Sequence, residues 1–161
     1  MKNDSDSVSL EFLKQHSLFG GIQMAELIMI RTLFKEEHFS KGEDILREGD
    51  PGDRLYFIKE GSVEITKQGL SPKRPAFRRI AILRRGDTFG EMALIDMEPR
   101  CATVRALEET TTLSLDCKNL YDIAKSNLKT YTLIMLNMSR EISRRLRKMD
   151  ERFASSLFSI D

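Results

Sequence analysis

Seven of the chain's nine glycines fall between Gly42 and Gly90, and that punctuation limits what the middle of the chain can become. Glycines at such short intervals mark turns, and the segments between them are too short for packed helices. Several of those segments alternate apolar and polar residues with period two, as half-buried strands do. "LYFIKEGSVEIT" reads as two strands joined at Glu60-Gly61, a hairpin with glycine at the turn. Asp50-Pro51-Gly52-Asp53 is a turn signal, and "RRIAIL", "ATVRA" and "TLSL" are further strands. The middle of the chain is therefore expected to be an antiparallel β unit of about eight short strands.

Both flanks carry a helical period instead. Residues 8–39 place Leu10, Phe12 and Leu13 ahead of a break at Gly20-Gly21, then Met24, Leu27, Ile28, Arg31 and Phe34. After Asp116, Leu120, Ile123 and Ala124 fit a short helix. Tyr131, Met135, Met138, Ile142, Leu146, Met149 and Phe153 then recur at spacings of three and four. The expected fold class is mainly β with flanking helices (α+β). Residues 1–9 are expected to be a disordered tail, 10–39 the N-terminal helices, 40–116 the β unit and 117–157 the C-terminal helices.

A chain of 161 residues suits one domain. Its 26 basic and 25 acidic residues nearly cancel, which argues against strong global attraction to nucleic acid or an anionic membrane. No apolar run approaches the ~18 residues of a membrane span, and MKNDSDSVS lacks the apolar stretch of a signal peptide. Cys101 and Cys117 form no CxxC, so a reduced, cytoplasmic protein is the simpler reading. His16 and His38 are the only histidines and have no partners at metal-ligand spacing. No GxSxG, P-loop or Cys-His pair is present, and the reading is of a protein that is neither an enzyme nor a holder of a metal or other cofactor. Basic residues cluster locally. Residues 67–85 contain seven Lys/Arg and no acid, broken by Pro72 and Pro75, as in a long solvated hairpin loop. The last helix carries Arg140, Arg144, Arg145, Arg147, Lys148 and Arg152, but no helix-turn-helix follows it. Direct nucleic-acid binding is therefore not expected.

Chemistry concentrates in residues 89–104, FGEMALIDMEPRCATV. Gly90 between Phe89 and Glu91-Met92-Ala93-Leu94 suits a tight turn into a short helix, which Pro99 limits to about one turn. Backbone N–H groups at such a helix start are unpaired and favour an anion. Arg100 adds a planar, permanently charged fork that matches two phosphate oxygens. Glu91 cannot bind phosphate but can accept from a sugar hydroxyl. One phosphate beside one hydroxyl describes a nucleotide with a compact phosphate. The plainer alternative is that Glu91 and Arg100 form an ion pair that closes a loop. Gly90, Ala93 and Ala102, which leave space and allow close backbone approach, weigh against it.

FGEMAL…PRCATVRA resembles the phosphate-binding cassette of the cyclic nucleotide-binding domain family. That family includes regulatory subunits of the cAMP-dependent kinase, cyclic-nucleotide-gated channels and the bacterial catabolite activator. "GEDILREGDPGDRLYFIKEGSVEI", "LRRGDTFGE" and "SLFGGI" are similar to other segments of the family, so the resemblance covers roughly residues 17–150. It implies an antiparallel β-roll (a jelly-roll-like, double-stranded β-helix) with N-terminal helices and a C-terminal lid helix. It also implies that Glu91 accepts from the ribose 2′-OH, that Arg100 pairs with the cyclic phosphate, and that the amides of Met92 and Ala93 complete the cradle beginning at Gly90. Cys101 and Ala102 would lie beside the sugar-phosphate. Ile65 and Ile80 would face the base or be ordinary core, and Met149 falls where base contacts arise in the family. Members selective for cGMP tend to carry Thr or Ser directly after the cassette arginine. Cys101 stands there, which favours cAMP.

The expectation is a cyclic nucleotide sensor that signals by rearranging its last helix, through an unidentified protein effector or through homodimerisation along that helix. The alternatives are a β-roll scaffold without ligand and a truncated transcription regulator.

Overall fold

The computed structural model describes residues 8–69 and 77–158. Helix α1 (Leu10–Gln15), a 3-10 turn (Ser17–Phe19) and helix α2 (Met24–Arg31) precede strands β1 (Lys35–Phe39), β2 (Asp44–Leu46), β3 (Arg54–Glu60), β4 (Ser62–Gln68), β5 (Phe77–Arg84) and β6 (Thr88–Phe89). The short helix α3 (Met92–Asp96) follows, then β7 (Thr103–Ala106), β8 (Thr110–Asp116), α4 (Cys117–Ser126) and α5 (Leu128–Phe158). The described strands form two antiparallel four-stranded sheets, ordered β1-β8-β3-β6 and β2-β7-β4-β5. This is the expected β-roll with flanking helices.

Strand β3 shows how period two builds two cores at once. Leu55 and Phe57 point toward the helices and join Leu13, Phe19, Leu27, Ile30, Leu113, Leu115, Ile134 and Met138. Tyr56 and Ile58 point between the sheets, where they meet Leu46, Val63, Leu83, Phe89 and Val104. Phe57 is ringed by His16, Phe19 and Phe34 at centroid distances of 5.0, 5.5 and 5.3 Å. Gly61 closes the β3–β4 hairpin at φ +87°, a conformation for which glycine carries no Cβ penalty. Strands β4 and β5 pair Val63 with Leu83 and Ile65 with Ala81, then Thr66 with Arg79, so Ile80 is the extra residue of a bulge. The expected loop around Pro72 and Pro75 lies outside the described residues, between the end of β4 at Gln68 and the start of β5 at Phe77.

Two boundaries differ from expectation. The N-terminal helices end at Arg31, and residues 35–39, expected to be helical, form β1 against β8. "KEEHF" has little strand character by itself. Pairing with β8, together with Lys59–Glu36 at 2.7 Å, Arg54–Glu37 at 3.5 Å and a Ser114–Glu37 hydrogen bond, overrides its local preference. A charged strand also blunts the edge of its sheet. At the other boundary, Val8 and Ser9 are not part of a tail. Val8 is buried in the helical core, and the Ser9 hydroxyl accepts from Phe12 N–H as the cap of α1.

Helix α5 spans 31 residues, about 46 Å at 1.5 Å per residue. Asn127 caps it through Thr130 N–H. Its first half packs on the core through Tyr131, Ile134, Met135, Met138 and Ile142. The Asn137 amide donates to the carbonyls of Leu18 and Gly20, both at 3.0 Å, and Ser17 donates to Glu141. These bonds hold the N-terminal 3-10 turn against α5.

His16, buried at the head of that turn, accepts from Leu18 N–H through Nδ1 at 3.2 Å. Accepting there requires the neutral ring. Burial lowers its pKa below the ordinary 6.5, against opposing contributions from the Gly86 carbonyl, Glu141 and Asp87, while Arg145 lowers it further. A histidine held neutral favours folding fully above about pH 6.5, because below that value the unfolded chain takes up the proton first. Its contribution then falls as the pH drops toward the lowered folded value. Melting temperature should therefore decline between pH 7 and 5. His16→Asn, which keeps an acceptor for Leu18 N–H but does not titrate, should lose the His16 share of that decline. An unchanged decline would show that carboxylates alone govern it.

Candidate ligand-binding site

The segment after β6 turns at Gly90, with φ +82°, into the five-residue helix α3. A Cβ at Gly90 would lie 2.9 Å from Arg100 Nη1 and 3.0 Å from the Arg54 carbonyl oxygen. Helix α3 then presents the amides of Met92 and Ala93 at its start, where no preceding helical carbonyl reaches them.

Arg100 is 5% exposed. Its backbone is fixed on both sides: Arg100 N–H donates to Asp50 O at 2.8 Å, and Gly49 N–H donates to Arg100 O at 2.9 Å. Its side chain turns inward, with Nη1 donating to Gly90 O at 2.8 Å and Nη2 to Arg54 O at 3.0 Å. Nε is buried and has no partner among the described residues. Burial lowers the guanidinium's pKa from its ordinary value, against the opposing influence of Tyr56 and Asp53, yet arginine remains a cation at neutral pH. Among the described residues this buried cation bonds carbonyl oxygens, and its Nε–H is unpaired, an arrangement that favours an anion. Gly52 makes room for it. A Cβ there would lie 2.5 Å from Nε, 2.6 Å from Cζ and 2.8 Å from Ala93 Cβ. A cavity of about 330 Å³ also borders Arg100, but Asp44, Asp50 and Asp53 line it. Arg47 lines it as well, and Asp44 is ion-paired with Arg105 at 2.6 Å and with Arg47 at 3.5 Å.

The alternative of a Glu91–Arg100 ion pair fails. Glu91, 6% exposed, pairs with Arg145 of α5, Nη1 to Oε1 at 2.7 Å. Arg145 Nη2 donates to the carbonyl and hydroxyl oxygens of Thr88. Arg145 thus grips both sides of the Gly90 turn. In the sequence it stands only as one of the basic residues of the last helix. The available signal was its spacing, three residues after Ile142 and four before Met149, on the apolar side of that helix.

Ala93 and Ala102 are buried beside Arg100's turn. Cys101 is exposed, with its thiol 3.7 Å from Met92 Sδ and its carbonyl accepting from Lys67 Nζ at 2.6 Å. Ile65 packs against the core between the sheets. Ile80, displaced by the bulge, is largely exposed, and Met149 lies exposed one turn beyond Arg145.

A fold of two packed sheets with a glycine-led helix, a buried arginine and an acid facing α5 defines a cyclic nucleotide-binding domain, and the chain belongs to that family. The family's sequence profile matches residues 36–127. The chain is 33% identical over 128 residues to a cAMP-dependent protein kinase regulatory subunit of Dictyostelium discoideum, covering 75% of this chain and 39% of that protein. It is 36% identical over 119 residues to a cGMP-dependent protein kinase of Toxoplasma gondii, covering 74% and 11%. Among solved structures, a cyclic nucleotide-binding domain from Methylobacillus flagellatus superposes with TM-score 0.81 at 26% identity, covering 91% of this chain and 81% of that one. The chain thus spans well under half the length of these two kinase-related proteins.

Proposed function

We infer that the chain is a cAMP sensor without catalytic activity, whose ligand binds at Arg100 and whose signal leaves through α5. The buried Arg100 carries this reading: its guanidinium bonds the Gly90 carbonyl at the turn into α3, its Nε–H is unpaired among the described residues, and Gly52 and Gly90 leave room for it. The cyclic phosphate pairs with Arg100 and the Met92 and Ala93 amides, and Glu91 accepts from the ribose 2′-OH. Ile65, Ile80 and Met149 are the apolar side chains available to the base.

Relatives named for cAMP and for cGMP are about equally similar to this chain, so the choice of base rests on Cys101. A thiol is a poor replacement for the Thr or Ser hydroxyl that would bond the guanine amino group. Competition against a fluorescent cyclic nucleotide should rank cAMP ahead of cGMP, and Cys101→Thr should shift the ratio toward cGMP. A tenfold preference of the parent for cGMP, about 1.4 kcal/mol, would contradict this assignment.

Beyond Arg145, Leu146, Met149 and Phe153 form an exposed apolar stripe on α5. That stripe suits pairing with a second copy, and the proposed output is a homodimer or a separate effector protein docked on this helix. Sedimentation should detect a dimer at micromolar concentration; a monomer at high micromolar concentration would remove the self-association claim.

A further inference from the structure

We propose that the outer edge of β5 is a docking edge for an extended, acidic segment of a partner protein, which adds to the sheet as a further strand. The two sheets end in four edge strands, β1, β6, β2 and β5. Three of these are short or protected by their own charges. Strand β6 has two residues and β2 three, and β1, with five, carries Glu36 and Glu37 in ion pairs with Lys59 and Arg54. Strand β5 runs for eight residues, Phe77–Arg84, and among the described strands its one neighbour is β4. Its first four residues are exposed, Phe77 by 66%.

The main chain of that edge is open. Arg84 N–H donates to the Asp87 carboxylate at 2.8 Å, and Arg84 O accepts from Asp87 N–H at 2.9 Å, so both backbone groups of Arg84 turn away from β4. Direction alternates along an antiparallel ladder, which places the N–H and C=O of Ile82 on the outer side as well. No described strand lies there to pair with them. A long unpaired edge of this kind is a template for another strand.

Charge selects the occupant. Residues 67–85 hold seven Lys/Arg and no acid. Arg79 is held by Glu64 at 2.7 Å, whereas Arg78, Arg84 and Arg85 make no ion pair among the described residues. Charges of one sign oppose a second copy of β5, because pairing would bring two sets of arginines together, and they favour a strand that carries carboxylates. A membrane surface or a nucleic acid would meet the arginines but leave the main-chain groups of β5 without partners. A peptide strand meets both, with main-chain bonds along the edge, carboxylates at the arginines and an apolar side chain against Phe77.

An amide NMR titration of the isotope-labelled full chain with an end-blocked heptapeptide of alternating glutamate and valine tests this. The peptide should shift the amides of residues 77–83 and slow the exchange of Ile82 N–H. Methylating the peptide's backbone nitrogens, or replacing its glutamates by lysine, should weaken binding by about tenfold or more. Arg78→Glu should do the same; glutamate there would face Lys67 across the β4–β5 ladder, so the fold should hold. Equal binding of the methylated peptide would show that charge alone acts, and equal binding of the lysine peptide that charge does not choose the partner; either overturns the proposal. So would unmoved amides in 77–83 at millimolar peptide, including the case in which phosphatidylserine vesicles or duplex DNA do move them. Concentration-dependent shifts of 77–83 without peptide would assign the edge to a second copy and overturn it too.

Discussion

Arg100→Ala should remove most of the affinity for cyclic nucleotide, by about 2–5 kcal/mol, the scale for truncating one partner of a buried, hydrogen-bonded charge pair. In binding constants this is about thirtyfold to a few thousandfold. The size follows from burial: the cation is 5% exposed and, among the described residues, is bound to the carbonyls of Gly90 and Arg54 with Nε unpaired. Those carbonyls lose their donor in the variant, so some loss of stability accompanies the loss of binding. Titration of a variant shown to be folded by its melting curve separates the two effects. A folded Arg100→Ala protein that binds as tightly as its parent would remove Arg100 from the site.

Gly52→Ala should damage both fold and site, although Gly52 touches no ligand in this account. Its φ is not positive, so the effect is steric and comes from the added methyl group. That methyl would meet Nε and Cζ of Arg100 at 2.5 and 2.6 Å, and Ala93 Cβ at 2.8 Å. Arg100 cannot simply swing away, because its backbone is bonded to Asp50 and Gly49 and its side chain to two carbonyls. Overpacking of this kind costs about 1–3 kcal/mol of stability. Displacement of the guanidinium should weaken ligand binding by tenfold or more, about 1.4 kcal/mol at the least. Denaturant melts and ligand titration of the same variant read both. Parental stability and affinity would show that the loop 49–53 yields easily and does not position Arg100.

How far these features can be read from sequence depends on whether their cause is local. The hairpin at Gly61 and the short helix after Gly90 follow from glycine positions and period-two alternation, and both stand in the structure. Strand β1 is not legible in the sequence because "KEEHF" becomes a strand only through pairing with β8, more than seventy residues later, and through its charged partners Lys59 and Arg54. The bulge that places Ile80 toward solvent depends on the β4–β5 register, which strand composition does not encode. Arg100 was identified from its neighbours in the chain, whereas Gly52 and the Arg54 carbonyl became part of the site only on folding. Arg145 is the clearest case. Its side chain meets Glu91 across 54 positions of sequence, and in the chain it is one of seven basic residues on the last helix.

The most direct test of the central claim is a calorimetric titration of the purified chain with cAMP, using linear AMP as the comparison. Both carry adenine, a ribose 2′-hydroxyl and a phosphate, but only cAMP presents the compact cyclic phosphate that the cradle of Gly90, Met92, Ala93 and Arg100 is proposed to hold. The account predicts saturable binding of one cAMP per chain and much weaker binding of AMP. Absence of cAMP binding, or equal affinity for the two nucleotides, would contradict it.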